Sequence, residues 1–150
     1  MINPLDSHPK TIFVQEIFHK VASRYDLMND LMSWRIHRLW KEKLIDLIKP
    51  HPHHVLLDVA GGTGDIALRY VMRGGGYALI CDLSESMSET GHDRVINHGI
   101  LDRTAWSIGQ AECLPIASCS VDVYTIAFGL RHVTNIEAVL REAYRVLKIG

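Results

Sequence analysis

The stretch Val55-Leu56-Leu57-Asp58-Val59-Ala60-Gly61-Gly62-Thr63-Gly64-Asp65 limits what this chain can fold into more than any other. An apolar run carries one acid, the chain then turns through three glycines, and residues 66–72 read as a helix. A strand, a glycine turn and a helix in that order bring backbone N–H groups to a point that a nucleotide-like ligand can approach closely.

The flanking sequence continues the pattern. Residues 1–11 are polar, contain Pro4 and Pro9, and read as a mobile lead-in. Phe13, Ile17, Val21 and Tyr25 fall four apart and give a helix one apolar face. Residues 26–33 interrupt that face. A second helix fits 36–48, with Ile36, Trp40, Leu44, Leu47 and Ile48 expected inside, and Pro50 and Pro52 stop it. The first strand is expected at 54–60 and the second at 77–81, closed by Asp82. A weaker helix spans 84–98, with Met87, Gly91 and Val95 inward, and a short third strand spans 104–108. The fourth strand, 121–127, is apolar apart from Asp122, Tyr124 and Thr125, which predicts burial on both faces. In the last helix Ile136, Val139, Leu140, Ala143, Val146 and Leu147 follow the i, i+3, i+4 rule. Thr134 or Asn135 can cap its start, and Gly150 sits past its end. Strands alternating with helices predict an α/β fold, a doubly wound and mostly parallel sheet preceded by N-terminal helices.

Composition mainly excludes. With 150 residues, 47% hydrophobic and 22% charged, the chain can bury one real core. A net charge of −1 gives no argument for nucleic acid or a polybasic anchor. The apolar runs are too short to span a bilayer, and the N-terminus has neither the apolar region of a secretory signal nor an Arg-rich transit pattern. Cys81, Cys113 and Cys119 form no CxxC pair and read as reduced thiols of a cytosolic-type compartment. Four strands and a final helix leave the sheet open on one side. The expectation is a truncated domain whose C-terminal strands are missing, in preference to a partner that covers the edge.

The glycine turn admits two cofactor readings. Gly62-Thr63-Gly64-Asp65-Ile66-Ala67 fits the dinucleotide pattern, and Asp82 follows at the spacing of a ribose-binding acid. S-adenosylmethionine fits as well, because its ribose diol can be held by the same acid while its tail is a charged amino acid. Asp58 discriminates: an acid there helps order a site for an ammonium group and does nothing for a pyrophosphate. A glycine turn with purely structural acids is the bland alternative. Gln110-Ala111-Glu112-Cys113-Leu114-Pro115 follows strand three, where ligands sit in such folds, and Gln110 and Ala111 could read an adenine edge; a polar turn before proline is equally compatible. His51, His53 and His54 have no usual metal spacing and read as loop, so no metal is expected. Trp40 reads as core, and Met28 and Met32 as core or as an apolar entrance.

Several segments together resemble the ubiquinone/menaquinone biosynthesis C-methyltransferases, a family of Rossmann-like S-adenosylmethionine-dependent enzymes. The segments are Val21-Ala22-Ser23-Arg24-Tyr25-Asp26-Leu27-Met28-Asn29-Asp30-Leu31-Met32-Ser33, Ile36-His37-Arg38-Leu39-Trp40-Lys41, the glycine turn, Ala111-Glu112-Cys113-Leu114-Pro115, Tyr124-Thr125-Ile126-Ala127-Phe128-Gly129-Leu130-Arg131-His132-Val133-Thr134, and Tyr144-Arg145-Val146-Leu147-Lys148. The resemblance covers about 18–148. It implies a helical lid at 12–50 over a Rossmann-like core at 54–150. It also implies methyl transfer from S-adenosylmethionine to a ring carbon of a polyprenylated benzoquinol or naphthoquinol.

By the same resemblance Thr63, Asp82, Gln110 and Ala111 bind the cofactor, and Asp58, Gly61, Gly62 and Gly64 of the turn are expected to join them. Tyr25 would close over it, and Arg131 would stabilise phenolate charge or position a water. Ala127 stands where some members carry a serine, so only its backbone could contribute. His132 replaces a usual asparagine; it could act as a base, and a tolerated substitution is the preferred reading. Arg35 replaces a glycine and Ser88 an apolar residue. The expected partners are the quinol, a peripheral membrane surface or quinone-biosynthesis complex, and a second copy in a homodimer. The expected location is the cytoplasm, at the inner membrane face.

Overall fold

The structure, a computed structural model, describes residues 36–150. Its first element is helix α1, Ile36–Ile48. It ends where Lys49 takes a left-handed backbone ahead of Pro50. The strands are β1, Val55–Val59, and β2, Tyr77–Asp82, then β3, Thr104–Ile108, and β4, Val123–Thr125. Helix α2, Asp65–Met72, joins β1 to β2, helix α3, Glu85–Asn97, follows β2, and helix α4, Ile136–Val146, follows β4. All neighbouring strands are parallel, in the order β3-β2-β1-β4. The chain therefore reverses direction across the sheet between β1 and β4, and the site gathers there.

The alternating side chains of β1 split the core in two. Leu56 joins Ile66, Ala67, Tyr70, Val71, Ala78, Ile80 and Val95 on the face covered by α1, α2 and α3. Leu57 and Val59 join Cys81, Val121, Val139 and Val146 on the face covered by α4. The middle of β1 is buried on both sides, as a central parallel strand should be.

The structure corrects the sequence reading at three elements. On α1 the buried residues are His37, Lys41 and Ile45, while Ile36, Trp40 and Leu47 are exposed. Ile45 anchors that face in the core, with Leu44 and Ile48 packed against it as expected, and ion pairs flank it: Lys41 Nζ lies 2.9 Å from Asp65 Oδ2, Glu42 pairs with Arg69, and Arg73 donates to Asp46 at 2.7 Å. Hydrophobic periodicity does not register such pairs. Trp40 is not core; it stacks on Phe128 with ring centroids 6.2 Å apart.

The fourth strand is three residues long and half-buried, because β4 is a sheet edge among the described residues. Val121 leaves the ladder to bridge Leu147, and Asp122 accepts the Val55 amide at 2.8 Å. On α4 only Val139 and Val146 are buried, while Ile136, Leu140 and Tyr144 are exposed. That helix is capped by Asn135, whose Oδ1 accepts the Ala138 amide at 3.0 Å. It ends in extended backbone at Leu147, and Gly150 has no capping part. Ser88 is buried and its hydroxyl donates to the Ser84 carbonyl at 3.2 Å, which accommodates a polar residue inside α3.

Candidate functional site

The glycine turn leaves β1 through Ala60 and enters α2 at Asp65. Gly62 and Gly64 have φ of 57° and 71°, the left-handed region where side chains are strained. Gly61 is required for another reason. A Cβ there would lie 2.8 Å from both Asp58 Oδ2 and Ile80 Cγ2, so the backbone passes directly over the Asp58 carboxyl. The loop after β4 closes on the same turn, with Gly129 against Ala60 and Phe128 under Trp40 of α1.

Two acids stand at the carboxyl edge of the sheet. Asp82 ends β2, and its oxygens are tied to two turns: Oδ2 accepts the Gly62 amide at 2.8 Å and Oδ1 accepts the Ser84 amide at 2.9 Å. The carboxylate keeps acceptor capacity for a ligand hydroxyl. Burial raises its pKa above the ordinary carboxylate value, and hydrogen bonds from Ser84, Gly62 and Leu83 work against that rise.

Asp58, one residue before the end of β1, is buried. Its Oδ1 accepts the Thr125 hydroxyl at 2.8 Å, and its Oδ2 has no hydrogen-bond partner among the described residues. Burial pushes its pKa up to about 7; the Thr125 hydrogen bond and the Lys41 charge pull it down, and Asp82 and Asp65 push it further up. A buried carboxyl with an orphaned oxygen is a costly feature for a structural role alone and is suited to a cationic ligand.

Other candidates fall around these two. Thr63 is buried, and its hydroxyl accepts from Arg94 of α3 at 3.2 Å. Gly109 donates to the Asp82 carbonyl at 3.1 Å, which brings Gln110 and the buried Ala111 beside β2. Ala127 is exposed just beyond β4. Arg131 and His132 share a short 3-10 turn, Leu130–His132, where Arg131 Nε donates to His132 Nε2 at 3.1 Å. The lead-in at 1–11, the first expected helix, Tyr25, Met28, Met32 and Arg35 lie outside the described residues.

Sequence reasoning missed Thr125, Lys41, Arg94 and Trp106. The Trp106 ring lies 3.1 Å from where a Cβ on Gly64 would be and 2.9 Å from one on Gly91. The one available signal was Thr125 itself, a polar residue inside an apolar strand. Cys81 is buried and pushed up to about 12, so its thiol is inert at neutral pH. The rings of His53 and His54 lie tilted against that of His51, with centroids 5.4 and 4.6 Å away, before β1 at the end of the sheet away from the site. A separate cleft of about 260 Å³ lies between α1, α2 and α3, lined by His37, Arg38, Asp65, Leu68, Arg69, Arg94 and His98. It contains neither Asp58 nor Asp82.

This sheet order, with two acids around a glycine turn at its reversal point, defines a Rossmann-like domain built like those of the S-adenosylmethionine-dependent methyltransferases. A solved structure of this kind, a putative S-adenosyl-L-methionine-dependent methyltransferase from Methanococcus maripaludis, superposes with a TM-score of 0.75. The match covers 87% of this chain and 59% of that one at 20% identity, which speaks to fold alone. The chain belongs to the ubiE/COQ5 methyltransferase family, whose model matches residues 6–150. It is 51% identical over 142 residues to the ubiquinone/menaquinone biosynthesis C-methyltransferase UbiE of Cereibacter sphaeroides, covering 94% of this chain and 57% of that protein. With the UbiE of Acidiphilium cryptum it shares 47% identity, over 91% of this chain and 55% of that protein. The chain thus spans a little over half the length of the curated relatives it matches.

The fold by itself does not select the chemistry. The [4+2]-cyclase SpnF superposes with a TM-score of 0.67 at 27% identity, covering 72% of this chain and 41% of that one.

Proposed function

We propose that the chain binds S-adenosylmethionine at the glycine turn and serves C-methylation of a polyprenylated benzoquinol or naphthoquinol ring. The observation that carries this reading is the orphaned, buried Asp58 oxygen beneath Gly61, in a chain about half identical to enzymes named for that activity. A nicotinamide dinucleotide would bring a pyrophosphate to this turn, where a carboxylate is unfavourable.

In this reading Asp82 holds the ribose hydroxyls through its remaining lone pairs, and the amides of Gly61–Gly64 with Thr63 line the tail. Asp58 favours the ammonium group, Gln110 and Ala111 face the adenine, and Ala127 offers backbone only. When bound, the cofactor supplies an electrophilic methyl group: the ring carbon forms the new C–C bond and the S–C electron pair stays on sulfur. Arg131 stabilises the developing phenolate or orients the water that takes the ring proton, with His132 beside it. The segment 12–50 acts as the lid over 54–150, supported at its described end by the Trp40–Phe128 stack. Tyr25 would complete it.

The test is calorimetric titration of the 150-residue chain with S-adenosylmethionine, S-adenosylhomocysteine and NAD. Saturable binding of the first two, and a loss of about tenfold or more in Asp82→Ala, is expected. Binding of NAD in their place would overturn the reading. A second reading, cofactor binding without turnover, is favoured by a β4 edge that no strand covers among the described residues. Binding without methyl transfer to a quinol acceptor would select it.

Among the described residues no helix is long and apolar enough to cross a membrane. A polyprenyl substrate nonetheless favours peripheral association at the inner membrane face, from the cytoplasm, alone, as a homodimer or within a quinone-biosynthesis complex. Failure to co-sediment with quinone-containing liposomes would sink the membrane part.

A further inference from the structure

We propose that Thr125 is the positioning residue for Asp58: from the neighbouring strand its hydroxyl holds one carboxylate oxygen, aims the other at the cofactor's ammonium group, and so sets how cofactor binding depends on pH. The proposal rests on the cofactor reading above.

Asp58 and Thr125 are register partners across β1 and β4, the strands that flank the reversal point of the sheet. Thr125 is 6% exposed, and its Oγ1 lies 2.8 Å from Asp58 Oδ1. The same Oγ1 is 3.5 Å from the Leu57 carbonyl oxygen, a weak contact. A hydroxyl both donates and accepts, which suits both states of the acid. When Asp58 is ionised, Thr125 donates to Oδ1. When Asp58 is neutral, its own proton can go to Oγ1, and the threonine proton turns toward Leu57.

In either state Oδ1 stays on the β4 side, and Oδ2 stays under the backbone of Gly61. The charged groups that act on Asp58 come from three other elements: Lys41 of α1, Asp82 at the end of β2, and Asp65 at the start of α2. Lys41 favours the ionised acid and the two carboxylates oppose it. Thr125 alone among these groups hydrogen-bonds to it. Remove the hydroxyl, and the ionised acid loses its one direct partner among the described residues and its fixed rotation.

Binding of an ammonium group favours ionised Asp58. Affinity for a ligand with that group should therefore rise as pH is raised through about 7, and level off above it. S-adenosylhomocysteine carries the amine, which titrates well above neutrality. 5′-Methylthioadenosine has the same nucleoside and no amino acid tail, so it should show no such rise.

The experiment is calorimetric titration of the full chain with both ligands between about pH 5.5 and about pH 8.5, a window that brackets Asp58. It compares wild type, Thr125→Val, Thr125→Ser, Asp58→Asn and the Asp58→Asn/Thr125→Val double variant. Thr125→Val should weaken S-adenosylhomocysteine about tenfold or more at about pH 6.5, the loss expected for one hydrogen bond to a charged group. The loss should shrink to a few-fold above about pH 8, where Asp58 ionises unaided. 5′-Methylthioadenosine should be unaffected. Thr125→Ser should restore the wild-type profile, and in the Asp58→Asn background Thr125→Val should change little.

A loss equal at every pH, a loss shared by both ligands, a loss that persists in the Asp58→Asn background, or no loss would each overturn the proposal. If Thr125→Val does not fold by circular dichroism, Thr125→Ala against Thr125→Ser carries the same comparison. Wild type that binds neither ligand would overturn the cofactor reading itself. Wild type that binds both without pH dependence would overturn only the roles of Asp58 and Thr125.

Discussion

Asp58→Asn should make the ligand-free protein more stable at neutral pH, at the expense of its cofactor. Asp58 is 1% exposed and keeps its proton until about pH 7 in the folded chain, against an ordinary carboxyl value of 3.8. Between 3.8 and about 7 lie roughly 3 pH units, which at about 1.4 kcal/mol each amount to about 4 kcal/mol. The raised value sets the sign. Between these two pH values the unfolded chain has released the proton and the folded chain still holds it. Stability attributable to this group is therefore highest below about pH 4, falls as pH rises, and is lowest above about pH 7.

Asparagine is neutral throughout and has nothing to lose in that window. Its amide hydrogens take the place of the orphaned Oδ2 and want a partner, which costs about 1–2 kcal/mol. The expected net gain at pH 8 is about 2–3 kcal/mol, falling to zero or below near pH 4.5. Urea unfolding of both proteins at about pH 4.5, 6 and 8, followed by tryptophan fluorescence and circular dichroism, measures it. A stability difference that does not change with pH, or a less stable variant at pH 8, would refute the view that Asp58 is a buried acid held against its own solvation.

Two further perturbations test the surroundings. Gly61→Ala places a methyl group 2.8 Å from Asp58 Oδ2 and 3.1 Å from the Asp58 carbonyl oxygen. It should cost about 1–3 kcal/mol of stability and block the tail of the ligand, read by a thermal melt and the same titration. Lys41→Ala removes the partner of Asp65 at 2.9 Å from a side chain 9% exposed. Because Asp65 keeps Arg69 at 3.2 Å, about 1–3 kcal/mol is expected instead of the full cost of a broken buried pair. The variant should also move the pH midpoint of ligand binding upward, since the Lys41 charge favours ionised Asp58.

Much of the core was legible because each signal was local. The apolar run around Leu56 and Leu57, the glycines that must turn at positive φ, and Asp82 at a strand end all express preferences of short segments. Those preferences survive folding when the segment is central and buried on both faces. The inward face of α3 was legible for the same reason: Met87, Gly91 and Val95 keep a helical spacing and face one sheet.

Reading failed where a distant partner decided. Face selection on α1 turned on Ile45 packing into the core and on Lys41 meeting Asp65 of α2, and a lysine looks like solvent exposure in one dimension. The ends of β4 were set by Asp122 turning to the Val55 amide and by Val121 meeting Leu147, contacts between residues far apart in the chain.

The sequence by itself determined that an acid, a glycine turn and a helix would follow one another, and hence that a cofactor-type turn would form. Backbone sterics and hydrophobic spacing are written residue by residue. Only the tertiary structure decided which side of α1 faces inward. It alone put Thr125 opposite Asp58, left Oδ2 without a partner, and raised the acid toward neutrality. Burial, pairing and pKa depend on what surrounds a group in space, and parallel pairing brings together residues 67 positions apart, a relation that no local pattern encodes.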